Sequence, residues 1–150
     1  MEVDLRQVLR AKALRLLAQR EHSRLELAQK LGREHLDLVK QLLDVLASED
    51  LQSDARFTEA FVHSRIVRGQ GPIKIRAGLN ARGIDMSLAE QCLANHDDSE
   101  WLTLAWEVYC KRFGDLLPEN WQEQQKRAVF LQQRGFTTAH IRKLWKHNES

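Results

Sequence analysis

Proline is almost missing from this chain of 150 residues: it has two, beside seven glycines and two cysteines. So few turn-formers exclude a barrel or sandwich, whose short strands need a turn signal about every ten residues. Purely apolar runs last only a few residues, so no membrane-spanning helix is expected. The opening stretch, MEVDLRQVLR, is charged rather than apolar, which argues against a secretory leader and for a cytoplasmic protein. Cys92 and Cys110 belong to no CxxC pair and are expected to be reduced, packed thiols rather than a disulfide or metal site. HExxH, GxSxG and GxxxxGK[ST] are all absent, and His22, His35, His63, His96, His140 and His147 are dispersed. His96-Asp97-Asp98 reads as an acidic cluster opening a helix, not as a metal site. The expectation is a protein that is not an enzyme, with no catalytic residue, no cofactor and no metal.

What is present is a patterned charge. The net charge is only +2, but residues 6–33 hold eight Lys/Arg against two acids, and 34–59 hold two against seven. Residues 60–84 hold five against none, 85–125 two against nine, and 126–150 six against one. Five blocks of alternating sign need a cause.

Apolar spacing points to helices throughout. Leu5, Val8, Leu9, Leu16 and Leu17 recur at helical intervals behind Asp4, an expected N-cap. Ser23-Arg24-Leu25-Glu26 reads as a capping box, and Ser87-Leu88-Ala89-Glu90 repeats it. Asp54 is an expected N-cap ahead of Phe57. Leu102, Ala105, Trp106, Tyr109, Cys110 and Phe113 form one stripe that Gly114 ends. Two more helices follow, Trp121 to Gln133 and Thr138 to Lys146. The reading is an all-α fold of about nine helices and no sheet.

The chain also repeats itself. A shift of 48 residues lays HSRLELAQKLG on QGPIKIRAGLN, so that Leu25, Leu27 and Leu31 fall on Ile73, Ile75 and Leu79. GFTTAHIRKLW fits the same frame through Ala139, Ile141 and Trp145, and Arg20, Arg68 and Arg134 coincide upstream. Each copy reads as a long helix ending in Arg, a tight break and a short helix. In the central copy the break is GQGP: Gly69 can end the long helix in a left-handed conformation, and Pro72 suits the first turn of the next. The basic blocks track these pairs. Stacked side by side, they would gather into a positive strip along the array, which suits a polyanion whose neutralised phosphates release counterions.

At this point the residues resemble the RecX family, bacterial regulators of the RecA recombinase. HSRLELAQKL, DARFTEAFVHSRIVRGQGPIKIRAGLNARGI and FLQQRGFTTAHIRKLW are similar to the family's three tandem repeat signatures. The central block is the most specific, through Asp54, Arg56, Phe57, Arg65, Gly69, Gly71, Pro72, Ile75, Leu79 and Gly83. The resemblance spans about residues 5 to 147. It implies three tandem three-helix, helix-turn-helix-like repeats (1–50, 51–96 and 97–150) in an elongated, curved array without a cofactor. It further implies a protein that lodges in the groove of the RecA–single-stranded DNA filament, with free DNA at most a weak partner and no membrane. A monomer is expected because repeat arrays of this size often act alone, although the sequence leaves monomer or dimer open. There it would inhibit RecA ATP hydrolysis, strand exchange and filament extension, restraining recombination and the SOS response.

The candidate RecA- or DNA-binding residues are Arg65, Arg68, Lys74, Arg76 and Arg82, then Lys126, Arg127, Arg134, Arg142 and Lys143. Arginine's planar fork serves either acidic side chains or phosphates. Phe57, Phe61, Ile75, Leu79, Trp106 and Trp145 are expected in the core, whereas Trp121 is expected on the surface. Two other readings compete: a helix-turn-helix DNA-binding transcriptional regulator, which requires a sequence-specific duplex footprint, and a catalytic helical-repeat protein, which requires turnover.

Overall fold

Among the described residues, 2–147 of the computed structural model, nine helices form and no strand does. They are α1 (Glu2–Gln19), α2 (Arg24–Leu31), α3 (Leu36–Ser48), α4 (Asp54–Val67), α5 (Pro72–Ala81), α6 (Met86–Leu93), α7 (Asp98–Phe113), α8 (Trp121–Gln133) and α9 (Thr138–His147). None of them is long and apolar enough to cross a membrane.

Each boundary has a local cause. Ser23 accepts the Glu26 amide while the Glu26 carboxylate accepts the Ser23 amide, so the expected capping box opens α2. Asp97 and Asn120 cap α7 and α8 through the amides of Glu100 and Glu123. Three expected caps move. Since α1 is already helical at Glu2, Asp4 lies in its first turn, where an acid favours the helix dipole without capping. Ser53 rather than Asp54 caps α4, accepting the Arg56 amide. Asp85 rather than Ser87 caps α6, because the turn at Gly83 returns the chain to helix by Met86 and leaves Ser87 inside it.

The helices pack in consecutive triplets, each around its own apolar cluster. Leu27, Val39 and Leu46 centre the first; Phe57, Ile75 and Leu79 the second; Tyr109, Leu131, Phe136 and Leu144 the third. Trp101 of α7 packs into the second cluster, and Leu104 touches both the second and the third, tying the last unit to its neighbour. Phe57, Phe61, Ile75 and Leu79 are buried as expected, while Trp106 and Trp145 are half-buried against the third cluster. Trp121 stands 70% exposed. The chain exposes 9745 Å², about a quarter more than the ~7,900 Å² of a compact monomer of this mass. Three small cores in a row account for that excess, so the array is elongated.

Neighbouring units meet by one recurring device. A helix start leaves amides without intrahelical partners, and the second helix of each unit offers them to the next unit. At the first junction the Arg24 amide donates to Asp54 Oδ1 at 2.8 Å, and Gln52 Nε2 bridges Asp54 Oδ1 and the His22 carbonyl at 2.9 and 3.3 Å. At the second, the Gly71 and Ile73 amides donate to the Arg134 and Gly135 carbonyls at 2.8 and 2.9 Å. Each docked helix also covers a glycine that closes the second helix of the following unit: Leu25 lies over Gly83, and Lys74 over Gly135. Asp54 is therefore a bridge rather than a cap. Asp54→Ala should lower stability by about 1.5–3 kcal/mol, the usual loss for a charged hydrogen-bond acceptor. Urea unfolding checks this, and Asp54→Asn, which keeps Oδ1, should recover most of it.

These junctions correct the repeat frame. Arg20 and Arg68 follow the first helices of their units, but Arg134 ends the second helix of the third unit. Its structural counterpart is Arg82. Arg82-Gly83-Ile84 and Arg134-Gly135-Phe136 make the same turn, with the Ile84 amide on the Leu79 carbonyl and the Phe136 amide on the Leu131 carbonyl, each at 3.1 Å. The frame slips by one helix because both corners read locally as helix, Arg, break, short helix.

Candidate functional site

Two cavities meet at Arg68, one at each junction. The first, about 320 Å³, is lined by Arg20, Glu26, Phe61, Arg65, Arg68 and Arg82 among others. The second, about 750 Å³, includes Arg68, Lys111, Arg112, Phe130 and Arg134. Together they make a groove that passes from the first unit to the third.

Its charge has a simple origin in the chain. Arg68, Arg82 and Arg134 are the C-caps of α4, α5 and α8; Arg65, Lys111 and Arg112 lie in last turns, and Arg20 directly follows α1. Cations favour helix C-termini, where the dipole is negative. The fold brings five such ends to one groove and concentrates what the sequence distributes.

Aromatic rings support the guanidinium groups. The Arg65 and Arg82 guanidinium carbons lie 4.6 and 4.7 Å from the Phe61 ring centre. Arg134 and Arg112 lie 5.3 and 5.8 Å from that of Phe130. These are cation–π distances, and they make the rings shelves for arginine rather than stacking platforms for bases.

Compensation is incomplete. Glu26 accepts two bonds from Arg20, at 3.1 and 3.3 Å, and its second oxygen lies 3.6 Å from Arg82 Nε across the junction. Burial alone would push the Glu26 carboxyl up, but the Arg20 guanidinium and the Ser23 amide outweigh it and hold the group below its usual range. Among the described residues, Arg65 and Arg68 have no carboxylate within 4.0 Å. Burial lowers the Arg65 pKa, and the like charges of Arg68 and Arg82 lower it further. An anion entering the groove relieves that repulsion.

Of the ten candidate cations, Arg65, Arg68, Arg82 and Arg134 line this groove. Lys74 is exposed at the second junction, its Cβ against Gly135. The others are dispersed. Arg76 is paired with Glu90 and lines a separate cavity with Ile73 and Met86. Arg127 is half-buried, donating to the Tyr109 hydroxyl at 2.7 Å and to Glu123, contacts that tie α8 to the third core. Lys143 lies 3.4 Å from Asp98, and Lys126 and Arg142 are exposed away from both cavities. Three groove cations stand outside the ten candidates, Arg20, Lys111 and Arg112, although the repeat aligns Arg20 with Arg68 and Arg134. Arg20 shares the helix-end position of Arg68, a usable signal. Lys111 and Arg112 are hidden inside an acidic block, where only their place in the last turn of α7 distinguishes them.

Comparison with known proteins follows the same lines. Residues 53–93 match the family model described as RecX, second three-helix domain, and residues 98–145 match RecX, third three-helix domain. The chain is 47% identical over 137 residues to Regulatory protein RecX of Chromohalobacter salexigens, covering 90% of this chain and 89% of that protein. To Regulatory protein RecX of Halorhodospira halophila it is 44% identical over 138 residues, covering 91% and 85%. The crystal structure of RecX from Lactobacillus salivarius has the same fold, with a TM-score of 0.82 over 98% of both chains at 22% identity.

Proposed function

The chain belongs to the RecX family of regulatory proteins, and we propose that it binds along the groove of the RecA–single-stranded DNA filament and there inhibits RecA. The observation that carries this reading is the basic groove crossing both unit junctions. A filament presents the same surface at every subunit, so an elongated array can span neighbouring subunits with successive units. Such binding stabilises only the subunit arrangement that it fits, and it shifts the filament by no more than its differential affinity for the two states. An arrangement that cannot cycle ATP or exchange strands is thereby held, and filament extension stops. The chain needs no catalysis of its own for this, and it acts as a monomer wherever RecA assembles. Groove arginines meet acidic RecA side chains or DNA phosphates through bidentate contacts.

RecA ATP hydrolysis on single-stranded DNA, followed while this protein is added at substoichiometric ratios, tests the proposal. The expected outcome is inhibition well below one molecule per RecA subunit. Undiminished hydrolysis at every ratio, including excess, rejects it.

A further inference from the structure

Glu26 does two jobs in the first cavity, and only one of them needs its charge. As the capping residue of α2 it accepts the Ser23 amide on Oε1 at 3.1 Å, and glutamine serves that position as well. The charge acts on the arginines. Oε1 and Oε2 accept Arg20 Nη1 and Nη2, and Oε2 faces Arg82 Nε at 3.6 Å. One carboxylate thus places two oxygens between two guanidinium groups from different units, as the two non-bridging oxygens of a phosphodiester would be placed. Its side chain is only 14% exposed, so it is fixed in the cavity rather than waving beside it. Arg65 and Arg68, without such a partner, line the same cavity, as does Glu21, whose carboxylate is engaged by Arg56 at 3.1 Å.

We propose that Glu26 is the resident anion of the first cavity, occupying the place that a backbone phosphate of single-stranded nucleic acid takes and setting the groove's affinity by competing for Arg20 and Arg82. This rests on the reading of the groove as a polyanion site. The phosphate first meets Arg65 and Arg68, and Arg20 and Arg82 then exchange one anion for another. Phe61 is 9% exposed beneath two guanidinium groups, so bases find no stacking surface there and the contact is indifferent to sequence.

Fluorescence anisotropy of a labelled oligothymidylate of about 30 nucleotides, titrated with the full chain over a range of salt, tests this. Glu26→Gln keeps the cap and releases both arginines. It should bind about five- to tenfold tighter at low salt, with a salt slope steeper by roughly 0.7 for each guanidinium that gains a phosphate. Glu49→Gln removes the same charge from a pair with Arg10 outside the groove and should stay within about twofold of the unsubstituted chain. Helix content and the thermal midpoint establish that both variants are folded. The inference is overturned if Glu26→Gln binds as the unsubstituted chain does, or if Glu49→Gln tightens binding equally. Tightening toward polyglutamate but not toward the oligonucleotide also overturns it. The RecA proposal fails separately: a tighter-binding Glu26→Gln, with no inhibition of RecA by any form, keeps this inference and rejects that one.

Discussion

Gly135→Ala is expected to lower the thermal midpoint by about 10 °C, a large effect for one added methyl group. Two costs coincide there. Gly135 has φ +100°, and a Cβ at that residue would lie 2.5 Å from Lys74 Cβ, 2.7 Å from the Lys74 nitrogen and 2.9 Å from the Gly71 carbonyl oxygen. The left-handed dihedral alone costs an alanine about 1–2 kcal/mol. The clash adds more, because two of the three obstructing atoms are backbone. That backbone is held in place by the Gly71 and Ile73 amides on the Arg134 and Gly135 carbonyls. Relief requires separating the second and third units, so the sum is about 3–5 kcal/mol, at the upper end of single-substitution effects. Two comparators divide it. Gly114 has φ +84° and ψ −175°, another backbone region reserved for glycine, with nothing within 4 Å of an added Cβ, so Gly114→Ala carries a backbone cost of about 1–3 kcal/mol with no clash. A Cβ on Gly71, whose φ is −86°, would lie 2.6 Å from the Gly135 carbonyl atoms, so Gly71→Ala carries the clash alone. Thermal and urea unfolding of the three variants should rank Gly135→Ala as most damaging and Gly114→Ala as least. Equal losses for Gly135→Ala and Gly114→Ala would mean that the junction is not close-packed.

Helix number and type were legible because apolar spacing and capping residues are local. Where two neighbours can both cap, as at Ser53 and Asp54, the sequence does not rank them. The choice depends on Arg24, which lies 30 residues upstream and needs the Asp54 carboxylate. The repeat was legible as well, but its frame was not. Arg82-Gly83-Ile84 and Arg134-Gly135-Phe136 are the matching corners, yet Arg68-Gly69 imitates them. Only the pairing of Leu25 with Gly83, and of Lys74 with Gly135, distinguishes the two. For the groove, the clue that survived was that arginines end helices. Which of them converge depends on how units dock, so Arg76 and Arg65 look alike in sequence and differ in space. Arg127 is an exception that spacing could have resolved, since Glu123 stands four residues before it on the same helix.

That division of the arginines leads to the second large effect. Reversing Arg65 and Arg68 together, to Glu, is expected to weaken inhibition of RecA by on the order of 100-fold or more, since each charged hydrogen bond to a guanidinium contributes about 1.5–3 kcal/mol and about 1.4 kcal/mol is a factor of ten. The fold should tolerate the change. Neither residue has a carboxylate partner to lose, and although two glutamates repel each other as the two arginines do, a glutamate at 65 attracts the Arg82 guanidinium that Arg65 repels. What is lost is the stacking of Arg65 on Phe61, about 0.5–1 kcal/mol. The control is Arg76→Glu with Arg142→Glu, which alters the net charge equally but away from the groove. It breaks only the exposed Arg76–Glu90 pair, whose contribution is about 0–1 kcal/mol, and inhibition should change by less than about tenfold. ATP hydrolysis by RecA reports both variants, and a salt series distinguishes their targets. If phosphates are the partner, the groove variant should flatten the salt slope as well as weaken binding. If acidic RecA side chains are the partner, potency should fall while oligonucleotide binding by the free chain is unchanged. Equal losses in the two charge-matched variants would mean that net charge, not the groove, governs inhibition. Undiminished potency of the Arg65 and Arg68 reversal in a folded chain would remove the groove from the contact surface altogether.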